Sequence, residues 1–144
     1  IYIEPIWPVK VSDEPIAADD PNEHNTVYMI NYKGVKVMVT GDLLEEDEHK
    51  MVEYYKGTDT LKCDILKIAH HGSKRFTFNI IIIRICNNNI LKCLHGIIIG
   101  FYGHPHKQTL DRLEERGIKV YRTDISGAVG IDIRGTRMSI DQYK

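Results

Sequence analysis

Residues 64–73 read Asp-Ile-Leu-Lys-Ile-Ala-His-His-Gly-Ser. A short, branched apolar run stops at two imidazoles and a glycine. This is how a buried strand delivers side chains to a rim: the strand is rigid, and Gly72 lets the chain turn away at once. Imidazoles held there are placed for metal binding or proton transfer, although two histidines that merely cap a strand are the plain alternative. Two other stretches repeat the pattern. Val35 to Val39 runs into Thr40-Gly41-Asp42, and Tyr102-Gly103-His104-Pro105-His106 follows a later apolar run. Three such loops, each setting an acid or an imidazole beside a glycine, point to one shared site at one edge of a sheet.

The chain between these loops is that of one ordinary domain, 144 residues with 42% hydrophobic and 27% charged content. Such a length buries a real core, and such a composition excludes disorder as the default. The net charge of −1, with acids and bases interspersed, gives no support for non-specific attraction to nucleic acid or membrane. Cys63, Cys86 and Cys93 are odd in number and lack a Cys-x-x-Cys spacing, so they read as reduced, mostly buried thiols. No apolar stretch reaches the length of a membrane span, and no basic and apolar leader precedes Ile1. We therefore expect a fragment whose beginning lies elsewhere, with no membrane contact from this segment.

Hydrophobic periodicity sets out the elements. A short strand at 1–3 is halted by Pro5 and Pro8, and the acidic stretch 12–23 reads as a surface loop. Strands at 26–30 and 35–39 form a hairpin whose link ends in Gly34, where a positive φ is needed, and Asn25 is a plausible turn former just ahead. A helix over 44–56 carries Glu45, Glu46, Asp47 and Glu48 at its start and closes at Lys56-Gly57. Its Leu44, Met51, Val52 and Tyr55 share a packing face. Those acids and His49 read as solvated. Later come a helix over 107–116 stopped by Gly117, a strand at 118–121, a turn at 123–127, a strand at 128–133 and a last strand near 138–140. This alternation predicts an α/β domain with helices on a mixed sheet. Residues 75–97 stand apart. They are rich in isoleucine and asparagine and lack caps, acids and clean periodicity. AT-rich codons read in the wrong frame produce that bias, so we read the segment as locally mistranslated, which resequencing the gene tests.

Asp42 is the strongest single candidate for a metal ligand. A carboxylate in a Gly-Asp turn after a buried strand can bridge two cations, the alternative being a cap for the following helix. Neighbours on a strand end point opposite ways, so one of His70 and His71 is expected to face the site, with His71 favoured as the ligand. His70 and Ser73 complete the set as catalytic candidates, with Ser73 either capping the next segment or contacting a substrate oxygen. His104 is the better ligand of its loop, while His106 reads as a helix N-cap. His24 and His95 have no such context. A carboxylate with several imidazoles suits zinc, manganese or iron. Two such ions would activate water as hydroxide and hold the leaving oxygen of an ester or phosphodiester.

At these residues the sequence resembles the metallo-β-lactamase superfamily, and within it the hydrolase domain of ComEC-type competence (DNA-uptake) proteins and their soluble relatives. The matching pieces are Asn25-Thr26-Val27, Val37 to Leu43, Cys63 to Ser73, Tyr102 to His106, and Val120 to Asp124 with Gly127-Ala128-Val129. The resemblance implies an αββα sandwich with a metal centre, usually binuclear, at one edge. It implies a hydrolase of phosphodiesters, DNA among them, or of other esters. Asp42 would be the bridging carboxylate, His71 a ligand or proton donor, and His104 the ligand after the late strand. The superfamily's His-x-His-x-Asp-His motif belongs before residue 1. The chain is thus expected to be the C-terminal half of one domain, inactive alone, and cytoplasmic if free-standing or membrane-associated within a longer ComEC-type protein. A competing reading is a degenerate, non-catalytic module for protein or nucleic acid, using Lys107, Arg112, Arg116, Lys119 and Arg122 as a basic face.

Overall fold

The computed structural model describes residues 1–9, 25–73, 95–98, 104–135 and 137–143. The acidic stretch 12–23, His24, residues 75–94 of the isoleucine-rich segment with Cys86 and Cys93, and Tyr102-Gly103 lie outside them.

The element order is β1 (Tyr2–Trp7), β2 (Val27–Tyr32), β3 (Val35–Val39), α1 (Glu45–Tyr54), β4 (Ile65–Lys67), β5 (His95–Ile98), α2 (Lys107–Glu114), β6 (Lys119–Arg122), α3 (Thr123–Ser126), β7 (Ala128–Arg134) and β8 (Arg137–Tyr143). Strands β1 to β6 form one sheet in sequence order, and β7 and β8 form a separate antiparallel ribbon. Within the large sheet β1, β2 and β3 are antiparallel, whereas β3, β4, β5 and β6 run parallel. The protein is therefore α/β with a mixed sheet and few helices. Residues 95–97, at the end of the segment read as anomalous, belong to a central strand. Among the described residues no helix is long and apolar enough to cross a membrane.

Sequence dictates the hairpin closely. Tyr32 pairs with Val35, leaving Lys33 and Gly34 as a two-residue loop with φ of 52° and 85°. Positive φ at both positions is the primed turn that matches strand twist. Lysine is a poor occupant of the first position, and an added Cβ on Gly34 would meet nothing within 4 Å. Any cost there is purely conformational. Lys33→Asn is therefore expected to stabilise the fold by roughly 0.5 kcal/mol, and Gly34→Ala to destabilise it by about 1–2 kcal/mol. Urea midpoints check both, and equal midpoints for the two variants would contradict the turn assignment.

Alternation along the strands separates two faces. Met29, Met38, Leu66 and Val120 lie in one register row, continued through Gly96 of β5. That face packs under α1 and α2 with Met51, Val52, Leu113 and Ile118, and Met38, Met51, Leu66, Ile68 and Leu113 are fully buried. Each such side chain contributes roughly 1.5–3 kcal/mol by leaving water. The Tyr55 hydroxyl donates to the Ile6 carbonyl at 2.9 Å, tying the end of α1 to β1. Helix α2 ends in a Schellman closure: Gly117 N–H donates to Glu114 O at 2.8 Å and Ile118 N–H to Leu113 O at 3.0 Å, with Gly117 at φ 65°.

One expectation for α1 needs correction. Glu48 is only 2% exposed, so the acid run is not wholly solvated. Its position, three and four residues before Met51 and Val52, puts it on the packing face. Asp47 is also largely covered, its side chain 17% exposed and 3.4 Å from Lys50. Glu45 and Glu46 are exposed as expected, Glu46 lying 2.8 Å from Lys50, and His49 is half-exposed.

Candidate functional site

Parallel pairing is what gathers the loops. In a parallel sheet all strands end at the same rim, and ligands of open α/β sheets sit outside those carboxyl ends. Val39, Lys67, Ile97 and Tyr121 share one register row across β3, β4, β5 and β6. Asp42, His70 and Asp124 each follow that row by three residues, and His104 follows β5 by a longer link.

The β3 loop turns at Gly41, φ 55°. Asp42 does not cap α1: the N-cap position is Leu44, which makes no side-chain cap bond. Its backbone N–H donates instead to Asn25 Oδ1 at 2.8 Å. Thr40, fully buried, donates its hydroxyl to the Lys67 carbonyl at 2.7 Å, bracing β3 against β4.

Beyond β4 the backbone departs from the expected extended end. A 3-10-type turn spans Ala69–Gly72, with His70 (φ 43°, ψ 43°) and His71 (φ 56°, ψ 19°) left-handed inside it. Gly72 continues at φ 81°. Strand alternation therefore does not apply, and both rings reach the rim. His71 Nε2 lies 4.0 Å from Asp42 Oδ1. The His70 ring centre lies 6.4 Å from that of His71 and 6.3 Å from that of His104. A left-handed conformation costs a non-glycine residue roughly 1–2 kcal/mol. Such strain concentrates at functional sites, where the surroundings hold it in place.

Backbone bonds join the three loops in series. His70 N–H donates to Gly41 O at 3.1 Å, and His106 N–H to Gly72 O at 2.9 Å. The Thr109 hydroxyl reaches the Ser73 carbonyl at 3.4 Å, and Ser73 is buried. Ser73 N–H bonds His70 O at 3.0 Å. His106 is the N-cap of α2, its Nδ1 accepting from Gln108 N–H at 3.4 Å.

Burial first, then the nearby His70, His71 and His106, hold the His104 imidazole below its usual range. It therefore stays neutral, the form with a lone pair to offer. Its Nδ1 is buried and has no hydrogen-bond partner among the described residues. Lys67 is likewise pushed below its ordinary range by burial, opposed by attraction to Asp42, and its Nζ donates to Gly41 O at 3.0 Å. Asp42, His71, His104 and His70 thus meet at one edge. They are the right donors for a divalent ion in kind, but no group of three or more acids, histidines or cysteines among the described residues closes around one point.

Sequence reasoning read Asn25 only as a turn former and as part of the family resemblance, not as a partner of Asp42, and gave Lys67 no role. The only signal was placement, an asparagine opening the strand that neighbours the one ending in Gly-Asp. The suggested basic face is largely engaged within the chain. Lys107 pairs with Asp111 at 2.7 Å and Arg122 with Asp124 at 2.6 Å, Arg116 bonds Arg112 O, and Lys119 sits 4.9 Å over the Tyr121 ring.

Comparison with known proteins adds two relatives and no family profile match. The chain is 30% identical over 117 residues to ComE operon protein 3 of Bacillus subtilis (strain 168), an alignment covering 80% of this chain and 14% of that protein. It is 29% identical over 114 residues to competence protein ComA of Neisseria gonorrhoeae, covering 76% and 15% respectively. The chain thus corresponds to a small part of the length of these curated relatives. Both are far longer proteins, and the similarity runs through most of the present sequence.

Proposed function

We propose that this chain is part of a metal-dependent hydrolase with a metallo-β-lactamase-like αββα fold, acting on phosphodiesters, DNA among them, in a competence-related role. The observation carrying the reading is the meeting of Asp42, His71, His104 and His70 at the carboxyl rim of four parallel strands. The competence proteins it is similar to support the DNA connection. The second sheet layer is supported by the face opposite the helices, where Ile3 and Tyr28 are 57% and 41% exposed. Both lie on the antiparallel strands β1 and β2, and neighbouring exposed apolar side chains of this kind are what a further layer would cover.

Asp42, His71 and His104 would hold the ions, zinc or manganese, with further ligands from outside the described residues. A bound divalent ion supplies water activation and charge stabilisation at the phosphoryl oxygens. The chain's own residues orient the donors. The left-handed turn presents both histidines, the Gly41 carbonyl fixes His70, and neutral His104 keeps a lone pair to offer. His70 is placed to move a proton, and Ser73, with its carbonyl held by Thr109, supports the turn.

The incomplete donor group favours a second reading, a non-catalytic module that binds nucleic acid or protein. One experiment separates them. The full-length gene product is assayed on bis(p-nitrophenyl) phosphate with Mn2+ or Zn2+, with EDTA, and for DNA retention across a salt series. Hydrolysis that needs metal and vanishes on chelation supports the first reading. DNA binding that falls steeply with salt, ignores EDTA and brings no turnover supports the second.

A further inference from the structure

The Thr40-Gly41-Asp42 turn is held from outside its own hairpin, and the holder is a side chain with no part in the donor cluster. Ladder pairing between β2 and β3 ends at Tyr28 and Val39. Beyond it the amide of Asn25 takes over. Its Nδ2 donates to Thr40 O at 2.7 Å and its Oδ1 accepts from Asp42 N–H at 2.8 Å. The side-chain amide thus mimics one rung of a neighbouring strand and grips the peptides on both sides of Gly41. A Cβ at residue 41 would run into that amide, coming within 3.1 Å of Asn25 Cγ and 3.2 Å of Nδ2, with Oδ1 closer still. Gly41 also needs its positive φ, so two independent reasons exclude a side chain there. On the other side Gly41 O accepts from His70 N–H and from Lys67 Nζ. The turn bearing Asp42 is fixed in both directions.

We infer that Asn25 is a positioning residue for Asp42, setting the carboxylate against the histidine turn through the Asp42 amide. The inference rests on the reading of Asp42 as the site carboxylate. Outer-shell partners of this kind typically govern metal affinity 10–100-fold when removed.

The test uses the full-length gene product with and without Asn25→Ala, read by amide hydrogen exchange in metal-free buffer and by Mn2+ calorimetry. Exchange at the Asp42 amide should quicken at least about 10-fold, as the loss of its acceptor requires. The Asp64 amide, bonded to Lys36 O at 2.8 Å, should keep its rate. Mn2+ affinity should fall by roughly 10–100-fold. An unchanged Asp42 amide overturns the proposal, and so does an unchanged Mn2+ affinity. Quickened exchange in a protein that binds no Mn2+ even when unaltered would sink the hydrolase reading alone, leaving the grip on Asp42 standing. A second variant guards against simple unfolding. Gly41→Ala should disturb the same amide, and adding Asn25→Ala should give less than the product of the two effects, since the amide it collides with is gone. Full multiplicativity would count against the clamp.

Discussion

Asp42→Ala is expected to abolish metal-dependent phosphodiester hydrolysis by the full-length gene product, lowering the rate by more than about 100-fold. The threshold follows from rank. Removing an outer partner of a metal ligand costs about 10–100-fold, so removing the ligand itself must exceed it. Asp42 sets its carboxylate 4.0 Å from His71, and its backbone is held by Asn25. The control is Glu46→Ala, whose carboxylate is 80% exposed and reaches Lys50 at 2.8 Å on the outer side of α1. Its removal should leave turnover within about twofold and stability essentially unchanged, as for ordinary surface substitutions. Turnover retained in Asp42→Ala, with metal dependence intact, would remove this carboxylate from the chemistry.

Leu66→Ala should destabilise the fold by about 2–5 kcal/mol, the range for truncating a fully buried leucine. Leu66 lies mid-sheet, in register with Met38 on one side and Gly96 on the other. It is fully buried in the cluster that Met51 and Leu113 close from the helices. The neighbouring backbone is fixed by three parallel strands and cannot collapse into the gap, which favours the upper part of the range. Ile131→Ala on the β7–β8 ribbon is the contrast. Ile131 is 36% exposed and should cost under about 1 kcal/mol. Urea unfolding measures both, and equal losses at the two positions would mean that the core does not lie beneath α1 and α2.

How much of this was legible depends on how local each cause is. The turn at Gly34, the stop at Gly117 and the run from Ile65 toward the histidines are written in adjacent residues. The stop is found where expected, while β2 extends to Tyr32 so that the link shortens to Lys33-Gly34, and β4 ends at Lys67, before Ala69. The meeting of the three loops was also readable, because apolar runs separated by helices imply parallel strands and a common rim. What failed to show was conformational or distant. Nothing in His70-His71 announces a left-handed turn, since residues other than glycine adopt it only under the hold of their surroundings. Asn25 lies 17 positions from Asp42 and bonds it through an amide. No periodicity encodes such a contact. Glu48 was misjudged because its charge spoke louder than its place on the packing face.

The serial bonding of the rim has a mechanical meaning. Gly41 is latched to His70, and Gly72 in turn to His106 at the head of α2, so the loops are coupled like links of a belt. A ligand that draws Asp42 inward therefore tugs the histidine turn and, through it, the start of a helix. Occupancy at the rim would be transmitted to the outer layer, and a label on the first turn of α2 could report it without touching the donors.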